Sequence, residues 1–295
     1  MHNHELLLIG SVGGGLGAWT RIVVRDELVS KGIASWRVVM SINLVGSALA
    51  GLAVRMTEGS FEWALFTLGF LGGFTTFSSM CVDIVVQWIA GRRRAAVTVA
   101  MGTMIGGSLI AWISSLFAGM FVARSAISTA AIIPLAGRRI THHMSGLLGI
   151  AFGGFVGTGI RIFVQFLAPI IGFPIWTATA LVNVIGSGFA GFAFRWLCSL
   201  DANGVALHDP SRRLTLERLL VFGFAGGLTT MSTLSIEIVE AMRHSLLTAL
   251  LIGGVNLLIG LTFTILGWWI AYRCFPARES ISPIPISNKA RQESE

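Results

Sequence analysis

The stretch Gly69-Phe-Leu-Gly-Gly-Phe-Thr-Thr-Phe-Ser-Ser79 decides how this chain is read, because it sets glycines and hydroxyls in the middle of a run otherwise apolar enough to cross a bilayer. As one continuous helix, residues 63–90 would extend about 42 Å at 1.5 Å per residue, against a hydrocarbon core of about 30 Å. The segment must tilt or break, and Gly72-Gly73 followed by Thr75-Thr76 predicts a break. An unwound membrane helix frees backbone N–H and C=O groups that lipid cannot satisfy, so a break has to face protein, water or an ion. The pattern returns as Gly223-Phe-Ala-Gly-Gly-Leu-Thr-Thr-Met-Ser-Thr233. The chain therefore carries one unit twice, and each break marks a place where ions are handled.

Working outward, the repeat extends to the flanking spans. Gly13-Gly-Gly-Leu-Gly17-Ala-Trp-Thr-Arg21 matches Gly153-Gly-Phe-Val-Gly157-Thr-Gly-Ile-Arg161, and Asn43-Leu-Val-Gly46-Ser47 matches Asn183-Val-Ile-Gly186-Ser187, both at an offset of 140. An internal period this regular signals duplicated structure. The third spans are offset by 154, so 14 added residues fall in the loop from Cys198 to Arg218. Each buried Asn has two readings: it bridges helices by hydrogen bonds, or its amide N–H groups serve a small anion. Thr103, Ser108, Thr248, Asn256 and Thr262 in the fourth spans are expected to bond back to their own helices.

Composition supports a polytopic membrane protein: of 295 residues, 54% are hydrophobic and 12% charged, with a mean hydropathy of +0.78. The 36 glycines suit close packing of helices in lipid. Cys81, Cys198 and Cys274 have neither zinc spacing nor an even count and read as packing residues. The net charge of +7 sits in short clusters between apolar runs, which fits topology rather than nucleic-acid binding. Residues 6–24 lack a basic leader and recur internally, so they read as structure and not as a signal peptide. The glycine run lacks the Gly-Lys-Ser/Thr ending of a phosphate loop.

Lys and Arg counts set orientation. Arg25, Lys31, Arg37 and Arg92-Arg93-Arg94 follow spans one and three of the first half. In the second half Arg138, Arg139, Arg195, Arg212, Arg213 and Arg218 lie on the opposite set of connections. By the positive-inside rule the first copy starts outside and the second starts inside. The expected fold is an all-α integral membrane protein of two inverted four-helix repeats with broken third helices. Residues 1–123 form the first repeat, 124–145 a linker that crosses the membrane as a ninth span, 146–273 the second repeat, and 274–295 a disordered cytoplasmic tail. The N-terminus is expected outside and the C-terminus in the cytoplasm.

With these motifs in place, each half resembles one subunit of the Fluc (CrcB) fluoride-channel family. The resemblance rests on the glycine-rich first helix ending in Arg21 or Arg161, on Asn-x-x-Gly-Ser, and on Gly-Gly-x-Thr-Thr-Phe-Ser in a broken third helix followed by an acid. It covers nearly all of both halves. It implies a passive fluoride channel in the cell membrane that exports fluoride and relieves its toxicity, working as a single fused chain in place of an antiparallel dimer. It further implies that Asn43 and Asn183 line the anion paths, with donors from Thr76, Ser78 and Ser79 and from Thr230, Ser232 and Thr233. Backbone carbonyls of Gly73, Thr76, Gly227 and Thr230 would hold a structural Na⁺. The family's two Phe residues, three apart, are Phe77 and Met80 in one copy and Met231 and Leu234 in the other. If each path takes its pair from opposite copies, Phe77 pairs with Leu234 and Met231 with Met80, so one path is expected to dominate.

Other classes leave weaker marks. A coupled anion transporter needs ionisable groups at mid-membrane depth, where only Asp83 and Glu237 approach. A non-conducting structural subunit would explain the missing Phe residues. An enzyme would need a nucleophile with a base, or a metal cluster, and His142-His143 and the other histidines lie at termini, loops or span ends.

Overall fold

The structure is a computed structural model that describes residues 2–54, 56, 59–121, 144–202 and 210–276. It is helical throughout the described residues. Helices α1 (Asn3–Ser30) and α2 (Ser35–Ala53) are followed by a π-wound stretch, Trp63–Leu71, that continues into the short α3 (Gly72–Phe74). Then come α4 (Phe77–Ile89) and α5 (Arg93–Phe121). The second half repeats the order: α6 (Met144–Ile170), α7 (Ile175–Ala202), a short α8 (Pro210–Glu217), a π-wound stretch Arg218–Ala225 leading into α9 (Gly226–Leu228), then α10 (Ser232–His244) and α11 (Leu246–Cys274). Among the described residues, 8 segments are long and apolar enough to span a membrane. The ninth crossing expected over residues 124–145, apart from residues 144 and 145, which open α6, and the tail from residue 277 lie outside them.

Two features were not anticipated. Both third spans approach their breaks in π winding, a widened turn that concentrates at functional positions. Helix α7 runs on past Arg195, whose guanidinium packs 5.3 Å from the Tyr272 ring centroid on α11, so a charge read as a span end is held against an aromatic ring instead.

Glycine contacts establish the inversion. Helices α1 and α6 meet with Gly10 at Ile162, Gly14 at Thr158 and Gly15 at Ala151, so rising numbers on one meet falling numbers on the other and the helices run antiparallel. Helices α2 and α5 run parallel, with Gly102 at Met40, Gly106 at Leu44 and Gly51 at Ala111. Helices α7 and α11 pair the same way, through Gly188 at Phe263 and Gly191 at Thr264. Hence α1 ends, and α6 starts, at one end of the bundle, which we call face I, and α5 ends at the opposite end, face II. Residue 3 lies at face II and residue 274 at face I.

Close approach explains several of the glycines. A Cβ on Gly17 would collide with the Phe70 carbonyl and come within 2.7 Å of the Phe74 amide nitrogen, whereas one on Gly254 meets nothing within 4 Å. Gly17→Leu is therefore expected to destabilise the bundle by about 3 kcal/mol or more, as overpacking against backbone does, and Gly254→Leu to be tolerated. Thermal denaturation of the two variants in detergent measures the difference, and equal melting temperatures would contradict this packing.

Candidate functional site

Both third spans unwind at the Thr-Thr pair. Thr75 and Thr76 are extended, at φ −88°, ψ 159° and φ −151°, ψ 127°, and Thr229 follows suit at φ −98°, ψ 153°. These three threonines and Thr230 are fully buried, so the released backbone groups need partners inside the protein.

The partners come from both repeats. The Thr75 hydroxyl oxygen accepts from the Ser232 and Met231 amides at 3.1 and 3.2 Å, capping the start of α10. In return the Thr229 hydroxyl accepts from the Ser78 amide at 3.1 Å, capping α4. Each threonine donates within its own repeat, Thr75 to the Leu71 carbonyl and Thr229 to the Ala225 carbonyl, both at 3.0 Å. Ser78 and Ser232 donate to those same carbonyls across the interface at 3.2 Å. Thr76 and Thr230 cap their own helices, accepting from the Ser79 and Thr233 amides.

The two asparagines hold the extended residues. Asn43 accepts from the Thr76 amide and donates to the Thr76 carbonyl, both at 2.9 Å. Asn183 does the same at Thr230, at 2.9 and 3.2 Å. Each carboxamide thus commits its oxygen and one N–H to the backbone and retains one N–H.

Arg21 and Arg161 lie beneath the breaks, at 1% and 0% exposure. Arg21 donates to the Thr75 carbonyl of its own repeat and to the Gly226 and Phe222 carbonyls of the other. Arg161 donates to Gly227 in its own repeat and, at 2.8 Å, to Leu68 in the other. Gly72 and Gly226 are required here, since a Cβ on either would overlap the guanidinium arriving from the opposite repeat.

These contacts bear on the expected cation ligands. Carbonyl oxygens are the hard neutral donors that Na⁺ takes, and Thr76 and Thr230 each accept one amide N–H and keep a lone pair. The Gly227 carbonyl differs, since Arg161 Nε and Thr158 Oγ1 occupy it at 3.3 and 3.2 Å. That oxygen does not fit a cation in this arrangement.

Beyond the breaks, α4 packs on α7 and α11 of the second repeat, and α10 packs on α2 and α5 of the first. Phe77 lies against Gly260, where a Cβ would also approach Cys81 Sγ at 3.5 Å, and Cys81 stands beside Ser187 and Thr264. Met231 lies against Gly107, close to Ser47 and Ser235, whose hydroxyls bond to each other at 3.0 Å. Two inverted tracks result. One joins Phe77 to Cys81, Ser187 and, a turn from Ser187, Asn183; the other joins Met231 to Ser235, Ser47 and, a turn away, Asn43. Phe77, Met80, Met231 and Leu234 are all fully buried in one shared apolar cluster. Thr75, Thr229, Ser47, Ser187 and Ser235 join the expected residues, and the positions of the first four within the repeated motifs are the sequence signal for them. In the fourth spans, Ser108, Asn256 and Thr262 bond back to carbonyls four residues earlier.

Each track has an acidic residue near one mouth. Asp83 and Ser79 line a cavity of about 890 Å³ at face I. Glu237 accepts from Thr179 at 2.6 Å, and Thr179 accepts from Gln165 at 3.2 Å.

Comparison with known proteins follows the two halves. The family described as CrcB-like protein, Camphor Resistance (CrcB), matches residues 8–123 and again 148–268. The fluoride-specific ion channel FluC of Hyphomonas neptunium is 36% identical over 137 residues, which cover 99% of that protein and 45% of this chain. That of Dechloromonas aromatica is 36% identical over 112 residues, covering 82% of it and 36% of this chain. That of Methanopyrus kandleri is 34% identical over 133 residues, covering 93% of it and 45% of this chain. No solved structure matches the chain.

The clamp at each break yields a stability test. Asn43→Ala or Asn183→Ala strands a buried N–H and C=O together, and each variant is expected to lose about 1–3 kcal/mol. Melting temperatures in detergent report the loss; variants that melt with the parent protein would mean the clamps are dispensable.

Proposed function

Because the chain belongs to the CrcB-like protein family, a family of channels rather than enzymes, we propose that it is a passive fluoride-selective channel exporting fluoride from the cytoplasm, with the Phe77 track carrying most of the current. The observation that carries the reading is the pair of exchanged caps, which puts hydroxyls, amide N–H groups and an aromatic ring along a buried track in a helical membrane bundle.

Fluoride is small and strongly hydrated, so its passage depends on fixed donors that replace water. Asn183 and Asn43 each keep one N–H for this purpose, and the Ser79 and Thr233 hydroxyls stand beside those of Thr76 and Thr230. The positive edge of the Phe77 ring adds a weak, preorganised attraction for an anion. Met231 offers only a thioether, a poor partner for fluoride. The arginines at face I support a cytoplasmic position for that end, with the N-terminus outside and the C-terminus inside, by the positive-inside rule. HF that has crossed the membrane dissociates in the cytoplasm, and an open path lets the trapped anion leave down its electrical gradient. A Na⁺ held by the carbonyls of Gly73, Thr76 and Thr230 would lend positive potential to the neighbouring tracks.

Coupled transport is the second reading, and the buried hydrogen-bonded line Gln165–Thr179–Glu237 is the observation that favours it. The two readings separate in liposomes carrying the purified chain. Channel activity gives fluoride efflux with little chloride efflux, set by the membrane potential; flux that tracks a proton gradient once HF leakage is controlled supports coupling, and equal chloride flux overturns selectivity.

Within the channel reading, Phe77→Ile is expected to lower fluoride efflux by roughly tenfold, a loss of ~1.4 kcal/mol in transition-state terms, and Met231→Ile by much less. Asn183→Asp, which puts a negative charge beside the Phe77 track, should be more harmful than Asn43→Asp. Equal effects of the two Ile variants would remove the single dominant path.

A further inference from the structure

The repeats are related by inversion, yet the two mouths of the bundle are electrically different. The cavity at face I is lined by Arg25, Arg37, Arg92, Arg93 and Arg94, against the carboxylates of Asp83 and Glu217, five positive charges to two negative. Three of these arginines are steadied by aromatic rings: Arg25 over Phe222 at 4.5 Å, Arg37 over Trp36 at 5.1 Å and Arg93 over Trp88 at 5.5 Å.

The offsets of the repeat, 140 for the first two spans and 154 beyond, give the counterparts at face II. Arg25 and Arg37 become Gln165 and Thr177, while Arg92, Arg93 and Arg94 become Leu246, Leu247 and Thr248. Asp83 remains acidic as Glu237, and Glu217 corresponds to Trp63. In formal charge the corresponding positions thus change from +3 to −1, and although Arg25 is paired with Asp26 at 3.2 Å, the other four arginines keep the first mouth basic. The other charges on that end of α10 do not compensate, because Arg243 is paired with Glu240 at 3.3 Å.

Topology explains why arginines gather at face I. It does not require them to line a cavity that reaches Ser79, one of the donors proposed for the anion path. A wide basic funnel raises the local anion concentration and the rate of anion capture, and a neutral or acidic mouth does not.

We infer that fluoride conduction through this chain is rectified: the arginine-lined cavity collects anions at face I, so fluoride current from face I to face II exceeds the reverse current at equal and opposite voltage. The inference rests on the channel reading above and gives the export direction a physical basis.

Single-channel recording of the full purified chain in planar bilayers, with symmetric fluoride near 0.1 M, tests it. Each channel is expected to pass roughly twofold more current or greater in one direction, and randomly inserted channels should sort into two mirror-image groups. Added sodium sulfate to an ionic strength of about 1 M, where the screening length is ~3 Å, should bring the ratio towards one. So should Arg37→Gln combined with Arg93→Gln, and, independently, Thr177→Arg, which adds charge to the second mouth without removing any from the first. Linear currents in the parent chain, or a ratio that ignores both salt and these substitutions, would overturn the inference while leaving the channel reading intact. Absence of any fluoride current would remove both.

Discussion

Two unwound segments inside a membrane bundle impose the constraint on which this structure depends. An extended Thr-Thr pair cannot make the helical i to i−4 bonds, and lipid offers no substitute. The chain meets the demand by exchange: Thr75 caps α10, Thr229 caps α4, and each buried arginine reaches carbonyls of the other repeat. Neither half satisfies its own break unaided. The asparagine clamps complete the arrangement from within each repeat, so every break is held from two directions.

This exchange accounts for the packing around it. Small residues line the α1–α6 contact because the two helices that carry Arg21 and Arg161 must lie close enough for each guanidinium to cross. Gly72 and Gly226 leave room for the arriving arginine. Helices α4 and α10, once capped by the opposite repeat, pack against the opposite repeat's second and fourth helices, and the two polar tracks form along those borrowed surfaces.

Much of this was legible in the sequence. The repeat, the broken third spans and the inversion followed from glycine spacing, the Thr-Thr pairs and the distribution of arginine, because each expresses a local rule: backbone freedom, hydrogen-bond competition, or charge sidedness. What escaped was partnership across the interface. Nothing in the order of residues says that Thr75 serves residue 232 rather than its own helix, or that Cys81 stands beside Ser187 and Ser47 beside Ser235. Those pairings depend on how each repeat meets the other, at separations such as 157 and 188 residues, where sequence periodicity carries no information. The π winding before each break was likewise hidden, since it follows from tertiary support of a widened turn rather than from residue type. The π-wound approaches, in turn, supply carbonyls that the buried arginines use, at Leu68 and Phe222.

Divergence between the halves is the consequence of fusion. Two separate identical subunits would have to share one sequence between both mouths and both tracks, whereas one chain can alter each independently. Phe77 and Met231, or Arg37 and Thr177, occupy matching positions and have become chemically unlike. The central claim is that one chain, through its exchanged caps, completes a conducting path alone. Fluoride efflux from liposomes reconstituted at less than one chain per vesicle on average tests it most directly. The account predicts that the fraction of vesicles losing fluoride follows the Poisson probability of holding at least one chain, whereas a fraction that follows the probability of holding two or more would contradict it.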